Sequence, residues 1–398
     1  MEDNVVYWIW LQQALGYGNR KVKQIAELYD DIEKFYQAGE TEWRLSGLFT
    51  NKDIENLNST KLEDAQTILA DCDRICCDVI GLDDERFPEL LGKIDDPPAV
   101  LYVWGDIMCV ADKLTVAVVG TRKASPKGLS IAEEISEGLA RKNVVIVSGG
   151  ALGIDSMAHK SAVEAGGKTV CVLGYGLDYN YLSIQNVLKQ NIMRTGGAIV
   201  SEYPPGVPGA KWTFPARNRI ISGLAHGTVI VEAGENSGSW ITANLANRQN
   251  RDVFIVPPAA GNFVAIGSVA LMEAGAQKVA CAEDILKNYD SKPRVRNKPA
   301  FRSVDVSKKF YEFDVSKICS RSVRPSAVNQ KVSKTHDAVS KLTDRERQVY
   351  EMISKGRSHI DDIVEALGMP SYKVLAVLTQ LEIAGVIKSL PGKCYEII

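Results

Sequence analysis

Histidine is scarce in this chain of 398 residues, with four in all, and none stands near its one cysteine cluster, Cys72, Cys76 and Cys77. That cluster has no second ligand pair, so a helix face of reduced thiols is expected rather than a metal site. No apolar run approaches the roughly 18–20 residues that span a bilayer. The start, Met1-Glu2-Asp3-Asn4, lacks the basic and apolar segments of a signal peptide. A cytoplasmic protein with no membrane partner is expected. Gly-x-Gly-x-x-Gly and Gly-Lys-Ser/Thr are absent, and with them the dinucleotide and Walker A phosphate loops. Gly-x-Ser-x-Gly is absent too, which removes the hydrolase nucleophile elbow. No cofactor, no metal and no catalytic residue is expected, and no internal repeat is found.

What is present reads as ordinary globular protein, 45% hydrophobic and 24% charged. The net charge of −2 hides an uneven distribution. Residues 288–341 hold 13 Lys and Arg against 5 Asp and Glu, so the rest of the chain is clearly acidic. A nucleic-acid site on the folded part must then be a focused patch. Four regions follow from the patterning: short helices over 1–80, an α/β region over 81–287, a basic linker over 288–341 and a folded segment over 342–398.

In the first region, Leu15-Gly16-Tyr17-Gly18-Asn19 separates two helical periods. A helix-hairpin-helix would offer such backbone N–H groups to phosphate. The acidic neighbours Glu27, Asp30 and Asp31 favour a plain turn. The second region has six short β-rich runs, starting at Val116, Val144, Val170, Ala198, Thr228 and Val253, most of them separated by helical periods. That alternation predicts a mostly parallel sheet covered on both faces. Ligands bind such sheets outside the carboxyl ends of the strands. In the last region three helical periods and a hairpin around Pro391-Gly392 predict a winged helix. Its third helix carries one cation, Lys373, and Gln380 as its base reader, so a protein-docking module is favoured over a groove reader.

Four segments at strand ends could carry chemistry. Gly120-Thr121-Arg122 would bring the backbone close to a ligand and project Arg122. Ser148-Gly149-Gly150-Ala151-Leu152-Gly153, opening a helix, reads as a nest of N–H donors for one phosphate. There Asp155 is expected to be a helix-start contact and His159 a core residue. Lys211-Trp212-Thr213-Phe214-Pro215-Ala216-Arg217-Asn218-Arg219 interleaves three cations with two aromatics, as a single-strand binder needs. Arg217 and Arg219 are expected not to be buried together: one pairs with Glu202 or Glu232, the other faces the cleft. Reversing both to Glu should then abolish binding and leave the fold intact. Ser237-Gly238-Ser239 reads as a helix cap, with Trp240 as packing.

These four segments, in this order, resemble the DNA-processing protein A (DprA, Smf) family. Phe-Pro-Ala-Arg-Asn-Arg-Ile-Ile-Ser-Gly-Leu (214–224) carries most of the likeness. Ser-Gly-Gly-Ala-x-Gly-Ile-Asp and Glu-Ala-x-x-x-Ser-Gly-Ser-x-Ile-Thr-Ala support it, from the segment at Phe87 through Pro257 and again over the C-terminal domain. The resemblance implies an extended Rossmann-like domain, an N-terminal helical SAM-like domain and a C-terminal winged helix. It implies binding of single-stranded DNA, loading of a RecA-type recombinase in natural transformation, and a homodimer through the Rossmann-like domain. By position, Arg122, Lys211, Arg217 and Arg219 would face the DNA, with Phe214 and Asn218 shaping the pocket. Gly120, Ser148, Gly149, Gly150 and Gly153 would cradle phosphate. The chain departs from the family pattern at Tyr181-Leu182-Ser183, at the segment after Val256 and at Val269. The alternatives are a Rossmann-type enzyme on a nucleotide or phosphoribosyl group, with Glu202 or Glu232 as base, and a transcriptional regulator led by the winged helix.

Overall fold

The structure, a computed structural model, describes residues 4–181, 185–234, 237–258 and 266–289. In the C-terminal part it describes 344–354, 360–367, 374, 377–378, 380–381, 387–390 and 394–397. The chain forms two compact units, Met1–Ser322 and Val323–Ile398. The basic linker expected over 288–341 lies almost wholly outside the described residues, as do both loops that depart from the family pattern beyond Tyr181 and Val256.

The first unit opens with five helices: α1 (Val5–Leu15), α2 (Lys21–Leu28), α3 (Ile32–Leu45, broken at Gly39), α4 (Asn51–Ser59) and α5 (Leu62–Arg74). Helix α1 buries Trp8, Ile9, Trp10, Leu11, Ala14 and Leu15, so nearly its whole circumference is apolar, as a central helix requires. It packs directly on the first two strands, β1 (Asp78–Gly81) and β2 (Val100–Gly105). Gly81 leaves room for the Trp8 ring, which a Cβ there would meet at 2.6 Å. The helices and the sheet thus share one core, with Trp8, Trp10 and Phe35 in the same cluster as Val100, Tyr102, Cys171 and Leu173. The boundary expected near residue 80 falls inside β1.

The sheet has nine strands in the order β1-β2-β6-β5-β4-β3-β7-β8-β9. The short helix α6 (Glu89–Gly92) lies between β1 and β2 in the chain, and the remaining strands are β3 (Thr115–Val119), β4 (Val145–Ser148), β5 (Thr169–Leu173), β6 (Ala198–Ser201), β7 (Gly227–Ile230), β8 (Asp252–Ile255) and β9 (Gln277–Lys278). From β6 to β9 every pairing is parallel; β2 runs antiparallel to both β1 and β6. The six expected strands are all present, and β1, β2 and β9 extend the sheet at its edges. Helices α7 (Pro126–Arg141) and α8 (Ile154–Glu164) pack together against β3, β4 and β7 over a core of Val116, Val118, Ile135 and Ala158. Helices α10 (Thr213–Gly223) and α11 (Gly238–Arg248) pack together over the core that contains Ile220, Ala243, Val119 and Ile230. Between α8 and α10 lies α9 (Asn186–Arg194). The chain crosses the sheet from β3 to β6 and then returns to place β7 beside β3. In such sheets ligands bind where this reversal occurs.

The second unit contains helices Asp344–Ser354 and Ile360–Leu367 and an antiparallel hairpin pairing Ile387–Leu390 with Cys394–Ile397. Val349, Ile363, Val374, Leu378, Leu381 and Ile387 form its core. No described helix is long and apolar enough to cross a membrane, and no described group of three or more His, Cys, Asp or Glu could hold a metal ion.

Two histidines are sealed in the first unit. His159 bonds Thr169 Oγ1 at 2.7 Å, and burial pushes it down to about 3. His226 accepts the Thr115 N–H at 3.2 Å, and burial pushes it down to about 4. In the unfolded chain each would take up a proton near pH 6.5. Stability from keeping them neutral is therefore complete above about pH 6.5 and is lost as the pH falls toward 4 and 3. Each should cost up to about 2 kcal/mol by pH ~5. Urea midpoints at about pH 7.5 and 5 measure the drop, and His226→Asn, which keeps an acceptor for Thr115, should remove about half of it.

Candidate nucleic-acid interface

The carboxyl ends of β3, β4 and β5 surround a pocket of about 80 Å³ lined by Arg122, Gly149, Gly150, Ala151, Leu152, Tyr175, Tyr181, Phe214 and Arg217. Its aromatic wall is a triangle. Tyr175 and Tyr181 lie 5.2 Å apart, Tyr181 and Phe214 5.4 Å, and Tyr175 and Phe214 6.4 Å between ring centroids. The exposed Arg122 stands over Phe214, its guanidinium carbon 5.6 Å from the ring centre. A cation above an aromatic face at this distance is attracted to the ring and still open to an anion.

The loop that carries Arg122 is pinned from below. The Thr121 N–H donates to the Glu232 carbonyl at 2.8 Å, and a Glu232 carboxylate oxygen accepts the Ser125 N–H at 2.9 Å. Ser125 caps α7 in turn through Gly128 N–H, and a Cβ on Gly128 would fall 2.1 Å from that same carboxylate oxygen. Glu232 therefore sits at the positive end of α7, where an anion is stabilised, and fixes the Arg122 segment.

The glycine turn after β4 differs from expectation. Its nest already holds an anion, the buried carboxylate of Asp155, which takes the Gly149 N–H at 3.2 Å and also bonds the backbone at Gly120 and Ala151. Burial raises the Asp155 carboxyl, against Arg217 and these N–H groups, which hold it down. Ser148 is fully buried and donates its hydroxyl to the Val118 carbonyl at 2.7 Å. Gly120 and Gly153 serve close packing: a Cβ on either would meet Ile154 or the Thr121 carbonyl at 2.5 Å. Gly120, Ser148, Gly149 and Gly153 thus build the turn rather than offer donors from it. The N–H groups of Gly150 and Leu152 donate to no group among the described residues, and both residues line the pocket.

The two arginines of α10 are both buried, Arg217 at 5% exposed and Arg219 at 1%. This overturns the expectation that they could not be, and the partners explain it. Arg217 donates to the carbonyls of Gly149, at 2.7 Å, and Val172, and accompanies the Asp155 charge. Burial lowers its pKa. It forms the pocket floor. Arg219 points away, into an ion pair with Glu202 at 2.6 Å and toward Asp96 at 3.6 Å. It does not line this pocket, and its guanidinium is committed to those two carboxylates, which counts against the DNA contact expected of it. Asn218 bridges helices, donating to the Gly238 carbonyl at 3.3 Å and accepting from Arg217. Lys211 is exposed just before α10, outside the pocket lining. Sequence reasoning gave no site role to Tyr175, Tyr181 or Lys189. The last is buried with its ammonium 5.4 Å from the Tyr175 ring centre, and burial lowers its pKa. The signal for Tyr175 was an aromatic between glycines at the end of β5.

The Gly16-Tyr17-Gly18 turn is also engaged. Its Gly18 N–H donates to Glu202 at 3.1 Å, and Tyr17 is buried against Tyr203, 4.7 Å between centroids. The backbone group that a helix-hairpin-helix would give to phosphate is thus held inside the protein.

The comparisons agree with this architecture. A family model described as DNA recombination-mediator protein A matches residues 78–290, and one described as the DprA winged helix domain matches 333–393. The DNA processing protein DprA of Bacillus subtilis is 38% identical over 208 residues, 52% of this chain and 70% of its own. The protein Smf of Synechocystis sp. is 30% identical over 400 residues, 98% of each. The X-ray structure of DNA processing protein A from Streptococcus pneumoniae superimposes with a TM-score of 0.54 at 34% identity, covering 60% of this chain and 82% of that one. The chain belongs to the DprA/Smf family of DNA-processing proteins, with a mostly parallel Rossmann-like sheet and a C-terminal winged helix.

Proposed function

We propose that this protein binds single-stranded DNA at the carboxyl edge of its sheet and, without catalysing a reaction, passes the strand to a RecA-type recombinase. The observation that carries the reading is Arg122 over the Phe214 ring at the mouth of a pocket walled by Tyr175 and Tyr181. A cation and the N–H groups of Gly150 and Leu152 suit one phosphate; the aromatic wall suits one base. A narrow pocket walled by aromatic rings suits one unstacked nucleotide of a flexible strand better than a stacked duplex. The carboxylates that an enzymatic alternative would use as a base are committed elsewhere, Glu202 to Arg219 and Gly18, Glu232 to the start of α7. Family membership supports a DNA-processing role, and a homodimer working in the cytoplasm, on DNA taken up by the cell, completes the proposal.

Fluorescence anisotropy with an oligothymidylate and with a duplex, at two salt concentrations, tests it. Tighter binding of the single strand is expected, with log affinity falling by about 0.7 per contacted phosphate for each unit of log salt. Equal affinity for duplex, or no salt dependence, overturns the reading. Faster recombinase assembly on a strand coated with single-strand-binding protein tests the mediator step.

A further inference from the structure

The pocket accounts for Arg122 but not for the exposed Arg20 and the half-buried Lys23, which follow the docked Gly16–Gly18 turn. We infer that the N-terminal helical region extends the DNA track, so that the strand leaving the pocket passes Lys211 and Trp212 and reaches Arg20 and Lys23. This rests on the single-strand reading of the pocket and lengthens it.

Three observations place the surface. Trp212 and Lys211 immediately precede α10, two and three residues before the pocket-lining Phe214. Trp212 is half-buried, with its ring 6.0 Å from Tyr203, which in turn lies 4.7 Å from Tyr17 in the N-terminal turn. An aromatic row therefore joins the helix that carries the pocket to the turn that carries Arg20. Arg20 is exposed at the start of α2, and its charge reaches Asp96. Lys23 lies one position beyond Val22 on the same helix, its ammonium donating to the Lys93 carbonyl at 3.1 Å, across to the 89–96 segment.

The acids nearest this path are mostly committed, while Glu27 and Asp30 stand exposed at the far end of α2. Glu89 pairs with Lys93, and Asp96 is shared with Arg219. Neither Arg20, Lys23 nor Lys211 forms an ion pair among the described residues, and Asp95 is the exposed acid left on the 93–96 stretch. The side chains do this work, because the Gly18 N–H is held by Glu202. Long-chain cations around a partly open indole give phosphate contacts and a stacking platform without base selection. The rigid docking of the turn keeps these groups at a fixed distance from the pocket, so the added contacts need no domain movement.

The test is length dependence. Affinities for oligothymidylates of about 6 and about 20 nucleotides are measured for the full chain, for Arg20→Gln/Lys23→Gln and for Lys34→Gln/Lys52→Gln, a charge-matched control on α3 and α4. The ratio of long to short affinity should fall about 10-fold in the first variant, with the salt slope for the long strand shallower by about 1.4, two single-strand phosphate contacts. The control should keep both values. An unchanged ratio and slope overturn the extension while Arg122-dependent binding of the short strand keeps the pocket reading. Equal weakening of both strands, or an equal effect in the control, also overturns it. Binding of neither strand by the unaltered chain overturns both readings together.

Discussion

Arg122→Glu is expected to weaken single-strand binding at least about 100-fold and to leave the melting temperature unchanged. Its side chain is exposed, and among the described residues it makes no ion pair and stands over the Phe214 ring. That ring contact is worth about 0.5–1 kcal/mol at an exposed site, and the loop is held by Thr121, Ser125 and Glu232 without it. Charge reversal removes a phosphate contact and adds repulsion at the same place. Phe214→Ala should cost about 1–3 kcal/mol of binding through lost stacking. The double variant should lose less than the sum, because guanidinium and ring act on one nucleotide. Anisotropy titrations of the three variants, with thermal melts in parallel, read both quantities. Full affinity in Arg122→Glu would remove the pocket from the binding path.

The sheet was legible because its strands are continuous apolar runs ending in glycine, serine or charge, and parallel strands buried on both faces must look so. The helix-forming periods between them left little freedom of topology. The site was legible only as a neighbourhood. Arg217 and Arg219 stand two apart on α10, about 200° around a helix, so they cannot share a face. Which one points to the pocket depends on carbonyls at Gly149 and Val172 and on the carboxylates of Glu202 and Asp96, brought in from distant segments. The glycine turn misled for a local reason. Gly149-Gly150-Ala151-Leu152-Gly153-Ile154-Asp155 carries its own anion six residues after the first glycine, and the nest closes on it. The Gly16-Tyr17-Gly18 turn could be read as a turn, but its dock on Glu202 joins residues 184 apart. No local pattern reports that.

Arg219→Ala is expected to destabilise the first unit by about 3–5 kcal/mol, because it strands a charge instead of freeing a binding group. Both partners of the Arg219–Glu202 pair are 1% exposed. Removing the guanidinium leaves the Glu202 carboxylate buried with the Gly18 N–H as its one remaining described donor. It also removes the charge that opposes burial of Asp96. The loss should spread across the junction of helices and sheet, since Glu202 ties the N-terminal turn to β6. A fall in melting temperature on the order of 10 °C follows, at about 2–4 °C per kcal/mol for a unit of this class. The double substitution Arg219→Met/Glu202→Leu should recover much of it, because two apolar side chains replace two desolvated charges. Reversing Arg217 and Arg219 together to Glu, expected from the sequence to spare the fold, should instead unfold it: one carboxylate would enter a cage of carbonyls beside Asp155, the other would face Glu202. Thermal melts and native-state proteolysis separate the cases. A stable Arg219→Ala that has lost only its affinity for single strands would return Arg219 to the DNA face; a destabilised one, rescued by the Met/Leu pair, fixes it as the clasp between the two halves of the unit.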